Sequence, residues 1–284
     1  MDEEEPGLVD DGVVKLETGL NHRIAAGYDS LPGFIARDLD ICLGFTIDTV
    51  GWSADGVRLR ATDGRELSAR AAISTLPVGV LKSGAVRFEP ELPEGKLAAL
   101  AALEMGPVLK VLLRFEDRFW PQWLANLGCG TGPVTLYWPV FYGTEGKPPV
   151  LIAYCTGPRA ARLSQLSADE AAAVAVTDLG RLFPRADPNR KLVDYRVIDW
   201  GRDPFSCGGY TFLRPGGTGA RRRLAAADTG ALFWAGSATE STPIAATVEA
   251  AYLSGLRAAA EARALLDRGR IDPDLTAGTR AIRE

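Results

Sequence analysis

Residues 231–257 read ALFWAGSATESTPIAATVEAAYLSGLR, and the rest of the chain is organised around them. Leu232, Phe233, Trp234 and Ala235 form a short apolar run that stops at Gly236, the pattern of a buried strand ended by a turn residue. After a polar turn of Ser237, Thr239, Ser241 and Thr242, either Pro243 or Ala246 can open a helix. That helix sets Val248, Tyr252, Gly255, Leu256 and Ala259 on one face. A strand, tight turn and helix aim unpaired helical N–H groups over the end of the strand, where they suit a phosphate or an electron-rich ring. Gly236, Ala245 and Ala246 allow a ligand close to the backbone. On spacing alone, the last strand-helix unit of any α/β domain reads the same way.

The 284 residues can hold one large domain or two interleaved ones, with ample material for a core. Net charge is −4 and the only basic cluster is Arg221, Arg222 and Arg223, read as a solvated loop, so nucleic acid is not expected as a partner. Cys42, Cys129, Cys155 and Cys207 lack C-x-x-C spacing and the single His22 lies far from them, which argues against a metal site. Reduced thiols and a cytoplasmic location are expected. The opening MDEEEP is acidic and no apolar core follows it, unlike a secretory signal, and no apolar run reaches membrane-spanning length.

In chain order, residues 1–26 are a polar lead. Ser30, Leu31 and Pro32 start a short helix through Ile35 and Ala36, and the alternation of Leu39, Ile41 and Leu43 predicts a strand. Residues 45–52, 57–62 and 65–69 form a meander with turns at Asp55-Gly56 and Asp63-Gly64, followed by a short buried strand at 71–75. The proline-bounded FEPELP at 88–93 is the expected crossing between subdomains. A helix over 94–104 places Leu97, Leu100 and Ala101 on one face and stops at Gly106. In PVLKVLLRF, 107–115, Leu109, Val111, Leu113 and Phe115 make one apolar face of a strand, and Lys110 stands on the other between Val108 and Leu112. Such a lysine is either functional or snorkelling at a sheet edge.

GCGTGP at 128–133 is a loop, because no apolar strand precedes it and Val134, Leu136 and Trp138 announce a strand rather than a helix. A strand over 150–154 follows. Ser167 and Glu170 make a capping box for a helix through Val176, Leu179, Leu182 and Phe183, and 193–200 is the next strand. WGRDPFSCGGYTFLRPGG, 200–217, holds two prolines, five glycines and four aromatics, a composition suited to lining a pocket or to a structural turn.

TLPVGVLKSGAVRFEPELP, PVLKVLLRFEDRFW, WGRDPFSCGGYTF and LFWAGSATESTPIAATVEAAYLSGLRAAAEA together resemble the flavin-dependent amine oxidases, the group of monoamine oxidases, polyamine oxidases and lysine-specific histone demethylases. The resemblance runs over about 27–266. It implies an α/β (mixed α+β) fold: a glutathione-reductase-type FAD domain, incomplete at its N-terminus, with an inserted substrate subdomain of mixed sheet and helices. The implied segments are the lead 1–26, FAD-domain parts at 27–87 and 206–267, the substrate subdomain at 88–205 and a tail at 268–284. The implied reaction passes hydride equivalents from an amine C–N bond to flavin, leaving an imine for hydrolysis and a reduced flavin for O2.

By the same resemblance, Lys110 is the catalytic lysine beside the flavin, and an apolar setting would lower its pKa. We expect it buried, its amine in the largest internal cavity. Tyr210, Trp200, Phe205 and Thr247 are the implied substrate-binding residues. Ile47, Thr75, Gly236, Ser237, Thr247 and Val248 are the implied FAD-binding ones. Thr247 stands where monoamine oxidases carry a second cage tyrosine. Gly209 stands where those enzymes carry the flavin-linking cysteine, so non-covalent FAD is implied.

Three departures stand out: Ser237, Ala250, and the lack of any strand-G-x-G-x-x-G-helix unit. They point to a truncated or split enzyme in which a second chain supplies the dinucleotide-binding unit, or to a non-catalytic binding subunit that keeps the fold. Lys110 and Tyr210 favour the enzyme. A desaturase or protoporphyrinogen-oxidase relative is argued against by the Lys110 strand and the W-x-x-D-P loop.

Overall fold

The computed structural model describes residue 24, residues 26–242 and residues 245–268. Almost all of the 1–26 lead, Pro243, and the tail beyond Arg268 lie outside the described residues. The chain divides into two compact units, one made of the residues up to 76, 81–103 and those from 213 on, the other of 77–80 and 104–212.

The first unit opens with α1 (Ser30–Ala36), which buries no residue. The strand expected at 39–43 does not form: Leu39, Ile41 and Leu43 are all exposed, Leu43 to 84%. Alternation specifies a strand only where a neighbouring strand takes its hydrogen bonds, and among the described residues none does here. The meander does form, as β1 (Ile47–Trp52), β2 (Val57–Ala61) and β3 (Glu66–Ala69), with antiparallel registers Trp52 to Val57 and Val57 to Ala69. Gly64 sits at φ +86 in the second turn, a conformation glycine adopts without strain. After β4 (Ala72–Ser74) and α2 (Val78–Ser83), β5 (Arg87–Glu89) adds to β1 in parallel, giving the order β3-β2-β1-β5.

Helix α3 (Glu94–Ala102) is shorter than expected and turns its other side inward. Lys96, Ala99 and Leu100 are buried and Leu97 is exposed. Lys96 Nζ donates to the carbonyls of Arg223, Leu224 and Ala226 at 3.2, 2.7 and 2.5 Å, closing the C-terminal end of α7 (Ala220–Ala225). It also lies 3.1 Å from Asp228 and 5.1 Å from the centroid of the Trp234 ring. Helix α3 ends early because Leu103 turns extended (φ −105, ψ 141) and enters β6 (Leu103–Gly106), which pairs with β12 (Tyr210–Leu213).

The second unit is built on β7 (Val108–Phe115). Flanking it are β10 (Val150–Thr156) and β11 (Leu192–Asp199), with β9 (Leu136–Pro139) and β8 (Leu127–Gly128) beyond β10, all antiparallel. One face buries Leu109, Val111, Leu113, Phe115, Leu151, Ala153, Cys155 and Tyr137. Residues of α4 (Gly157–Leu163) and α5 (Ala168–Leu182) cover that face, among them Ala160, Leu163, Ala172, Ala175, Val176 and Leu179. Each large side chain so buried contributes about 1.5–3 kcal/mol. The Ser167–Glu170 capping box starts α5, and α6 (Pro188–Lys191) leads into β11. Tyr137 Oη lies 2.9 Å from Ala175 O and 3.1 Å from Asp178 Oδ2, which satisfies a hydroxyl in an otherwise apolar layer.

The stretch that decides the fold folds as strand, turn and helix. β13 (Leu232–Trp234) pairs in parallel with β4, Ser237–Thr239 make a single 3-10 turn, and α8 runs over Val248–Arg268. The helix does not open at Ala246, whose φ of +65 is left-handed and incompatible with a right-handed helix. It begins after Thr247, whose Oγ1 accepts from the Ala250 N–H at 3.1 Å. Toward β13, α8 presents Ala250, Ser254, Ala258 and Ala262, with Ala258 and Ala262 packed on Phe233 and Ala235. The face carrying Val248, Tyr252 and Leu256 is therefore the outward one.

Candidate functional site

In the second unit, the alternation that buries Leu109 and Val111 sends Lys110 and Leu112 to the opposite, half-open face of the sheet. Register then fixes the neighbours of Lys110. It lies between Tyr154 on β10 and Ile198 on β11, and Leu136 follows beyond Tyr154. Lys110 Nζ is 5.9 Å from the centroid of the Tyr154 ring. Trp138 packs against this tyrosine, its ring centroid 5.2 Å away and tilted by 52°. Burial, and then the nearby Tyr210, push the Tyr154 phenol above its ordinary pKa. Lys110 is half-buried rather than buried, because α4 and α5 cover the other face of its sheet.

The loop before Tyr210 is pinned to this sheet at several points. Trp200 N–H donates to Val108 O at 3.0 Å, Gly208 N–H to Trp200 O at 2.8 Å, and Gly209 N–H to Gly106 O at 2.9 Å. Asp199 bonds Ser164 and the Gly201 N–H, and Arg202 bonds Ser164 O, tying the turn to the end of α4. The paired glycines are required by space. A Cβ on Gly208, at φ +142, would lie 2.5 Å from Met105 Cβ, and one on Gly209 would lie 2.2 Å from Val108 Cγ2. The loop thereby delivers Tyr210 beside Gly106, at which a Cβ would sit 3.7 Å from the tyrosine ring.

Lys110 and Tyr210 are thus brought together around Tyr154. Trp200 is fastened to β7, and Phe205 is 65% exposed with its N–H on Asp203 Oδ1, outside that cluster. Tyr154 and Trp138 escaped the sequence reading. Their signal is the register of β10 against β7 and β9, which no single strand reveals.

In the first unit the candidates sit where β13 and β4 end. Gly236, at φ +110 and ψ 158, turns the chain out of β13, a conformation that only glycine takes without strain. Its N–H donates to Ser254 Oγ at 2.9 Å and its carbonyl accepts from Thr239 N–H and Oγ1. Ser237 O accepts from the buried Arg221 at 3.4 Å. Thr75 follows β4 and is exposed, Ile47 opens β1, and Thr247 and Val248 form the capped start of α8. Ser74 Oγ, at the end of β4, is buried with no hydrogen-bond partner.

A side-chain-free turn, a capped helix start and an orphaned hydroxyl fit the ring and ribityl side of a flavin. For the pyrophosphate the chain has no G-x-G-x-x-G turn. Among the described residues there is no cluster of three or more His, Cys, Asp or Glu that could hold a metal, and no helix long and apolar enough to cross a membrane.

Residues 8–263 match the family described as flavin containing amine oxidoreductase. The chain is 35% identical over 242 residues to polyamine oxidase 2 of Arabidopsis thaliana, covering 84% of this chain and 48% of that protein. It is 31% identical over 249 residues to lysine-specific histone demethylase 2 of Homo sapiens, covering 84% of this chain and 30% of that protein.

Among solved structures, wild-type putrescine oxidase bound to putrescine superposes with a TM-score of 0.70 at 22% identity, over 83% of this chain and 52% of that one. Cyclohexylamine oxidase from Brevibacterium oxydans gives 0.69 at 21% identity, over 85% and 53%. The chain spans about half the length of the polyamine oxidase relative. Because the family match takes in both the Lys110 sheet and the strand-turn-helix of residues 232–263, the chain belongs to the flavin containing amine oxidoreductases.

Proposed function

We propose that this chain carries the substrate side and the flavin-ring side of an amine oxidase that converts a small amine to an imine with O2 as electron acceptor. The G-x-G-x-x-G unit that would complete its FAD site is not among these residues, as in a truncated or a split form. The observation that carries the reading is Lys110 in register with Tyr154 and grouped with Tyr210 on the half-open sheet face. Bound FAD would supply the acceptor for the hydride equivalents. Lys110 would present its N–H donors to that group, and the rings of Tyr154, Tyr210 and Trp138 favour an alkylamine through their negative π faces. Trp200, held to the strand of Lys110 by its bond to Val108 O, is assigned to the same site, while for Phe205 and Thr247 the assignment is supported by the family resemblance alone.

Ile47, Thr75, Gly236, Ser237, Thr247 and Val248 hold the cofactor. Contact is non-covalent, since Gly209 precedes Tyr210 and the nearby Cys207 Sγ lies 3.7 Å from Pro204 O. Similarity to polyamine oxidase 2 supports a polyamine as the amine. The four free cysteines support a cytoplasmic setting.

The test is Lys110→Met in the flavin-loaded assembly, with flavin reduction by spermidine and reoxidation by O2 followed by stopped flow. One of the two steps should slow by about 10²-fold or more while the unfolding midpoint stays put. Unchanged rates in both steps remove Lys110 from the mechanism. An assembly that binds FAD but never turns over is a binding subunit.

A further inference from the structure

Strand β11 is an edge of its sheet, and its outer side is open. Trp200 N–H donates to Val108 O at 3.0 Å, and by alternation Ile198, Arg196 and Asp194 direct their backbone groups to β7 as well. Tyr195 and Val197 therefore turn theirs outward. The Tyr195 N–H accordingly donates to its neighbour Asp194 Oδ1, at 2.8 Å, and not to another strand. Among the described residues no strand pairs with this side.

An open edge that carries charges ordinarily resists pairing, because an incoming strand has to match them. The charges of β11 are matched by β11 itself. Residues 192–198 read LVDYRVI, a palindrome in chemical type about Tyr195, with Asp194 against Arg196, Val193 against Val197 and Leu192 against Ile198. Laid antiparallel on a second copy with Tyr195 at the centre, the strand sets Asp194 opposite Arg196 twice over. Both residues are exposed, and both lie on the half-open face, beside Arg114 and Leu112 of β7. Moving the centre by one residue either way sets Asp194 or Arg196 against its own copy, where like charges repel.

We infer that β11 joins two copies of this chain edge to edge, about a twofold axis at Tyr195. The Tyr195 N–H exchanges its bond to Asp194 for the Tyr195 carbonyl of the second copy, and each such central pair makes two bonds. The released Asp194 carboxylate, which has only Arg114 at 3.9 Å as a cation in its own chain, takes Arg196 of the second copy. A twofold axis perpendicular to the sheet keeps like faces together. The two five-stranded sheets thus become one of ten strands, with both Lys110 faces on the same side. On the helix-covered side, where Tyr195 packs on the core and bonds Asp169 at the start of α5, the two tyrosines become neighbours. None of this depends on the proposed function.

The test is a charge swap in the full chain of residues 1–284. Sedimentation velocity at about 100 µM chain and low salt should show a dimer. Its dissociation constant should rise severalfold between about 50 and 500 mM NaCl, because the two exposed ion pairs are screened. Asp194→Arg and Arg196→Asp each set like charges opposite one another at both places. Each variant alone should dimerise at least tenfold more weakly than the parent, with circular dichroism and unfolding midpoint unchanged. Mixed together, the two variants should associate as tightly as the parent does, because each then offers the charges that the other lacks. The Tyr195 and Val197 amides should exchange at least tenfold more slowly in the parent dimer than in either variant alone.

A parent chain that stays monomeric under these conditions overturns the inference. So does a dimer that either single substitution leaves intact, or a pair of variants that stays monomeric on mixing, since another surface would then hold the copies together. Should a single variant fail to fold, the double variant Asp194→Arg with Arg196→Asp carries the test. It restores the palindrome with the signs reversed and should dimerise like the parent, and a folded but monomeric double variant overturns the inference.

Discussion

Lys96 is the residue whose burial most needs an explanation. It is wholly inaccessible, and burial pushes its pKa down while Asp228 works against that shift. Three carbonyls and a carboxylate make the arrangement tolerable, because a buried ammonium needs every proton satisfied. Removing the amine leaves the carbonyls at the end of α7 without their donor, while the exposed Asp228 falls back on water. Lys96→Ala should therefore lower the unfolding free energy by about 3–5 kcal/mol in urea melts, against less than about 1 kcal/mol for truncating the exposed Lys147. A loss at Lys96 as small as that at Lys147 would show that the carbonyls find water instead.

A second residue gives a pH signature. Burial pushes the Cys155 thiol from 9.0 up to about 11. A pKa raised in the folded state gives stability that is fully present below the unfolded value and is lost as pH rises through the folded one. The chain should thus lose roughly 2–3 kcal/mol between about pH 9 and 11 from this group. Cys155→Ala should flatten that part of a stability-versus-pH curve, and an unchanged slope would remove the thiol as its cause.

At the scale of elements, the paired glycines before β12 make the sharpest prediction. Gly209→Ala puts a methyl 2.2 Å from Val108 Cγ2 on the central strand of the sheet, so β12 or β7 must shift. We expect a loss of about 1–3 kcal/mol and, in the assembled enzyme, a raised KM for the amine as Tyr210 moves. Gly255→Ala on α8, where nothing lies within 4 Å of the added Cβ, should be neutral or stabilising in the same melts.

The elements also show what a sequence can disclose. The two faces of β7 were legible because one is packed under helices and the alternation is unbroken from Leu109 to Phe115. The capping box at Ser167 was legible because both partners are local. The inward face of α8 was not, since Ala250, Ser254, Ala258 and Ala262 carry weak hydrophobicity and are selected by close approach to β13. Nor was Lys96, whose acceptors lie far along the chain, or Tyr154, whose place beside Lys110 is set by register. The alternation of Leu39, Ile41 and Leu43 misled because periodicity cannot say whether a partner strand exists.

For the whole molecule, connectivity matters more than any single contact. The second unit is inserted into the first, so β4 and its partner β13 are separated by about 160 residues of chain. A ribosome adds roughly 5–20 residues per second, so β4 leaves the tunnel some 8–30 s before β13 exists. Throughout that interval both of its edges are bare, and the segment from Ala72 to Ser74 carries the apolar Ile73 between two small residues. Thr229 and Arg257, which finish the outer edge of β13, arrive only with the strand they seal. The nascent first unit is thus a client for whatever holds unfinished sheets apart in the cell, and its yield should depend on chaperone supply more steeply than that of a domain whose neighbouring strands are neighbours in sequence.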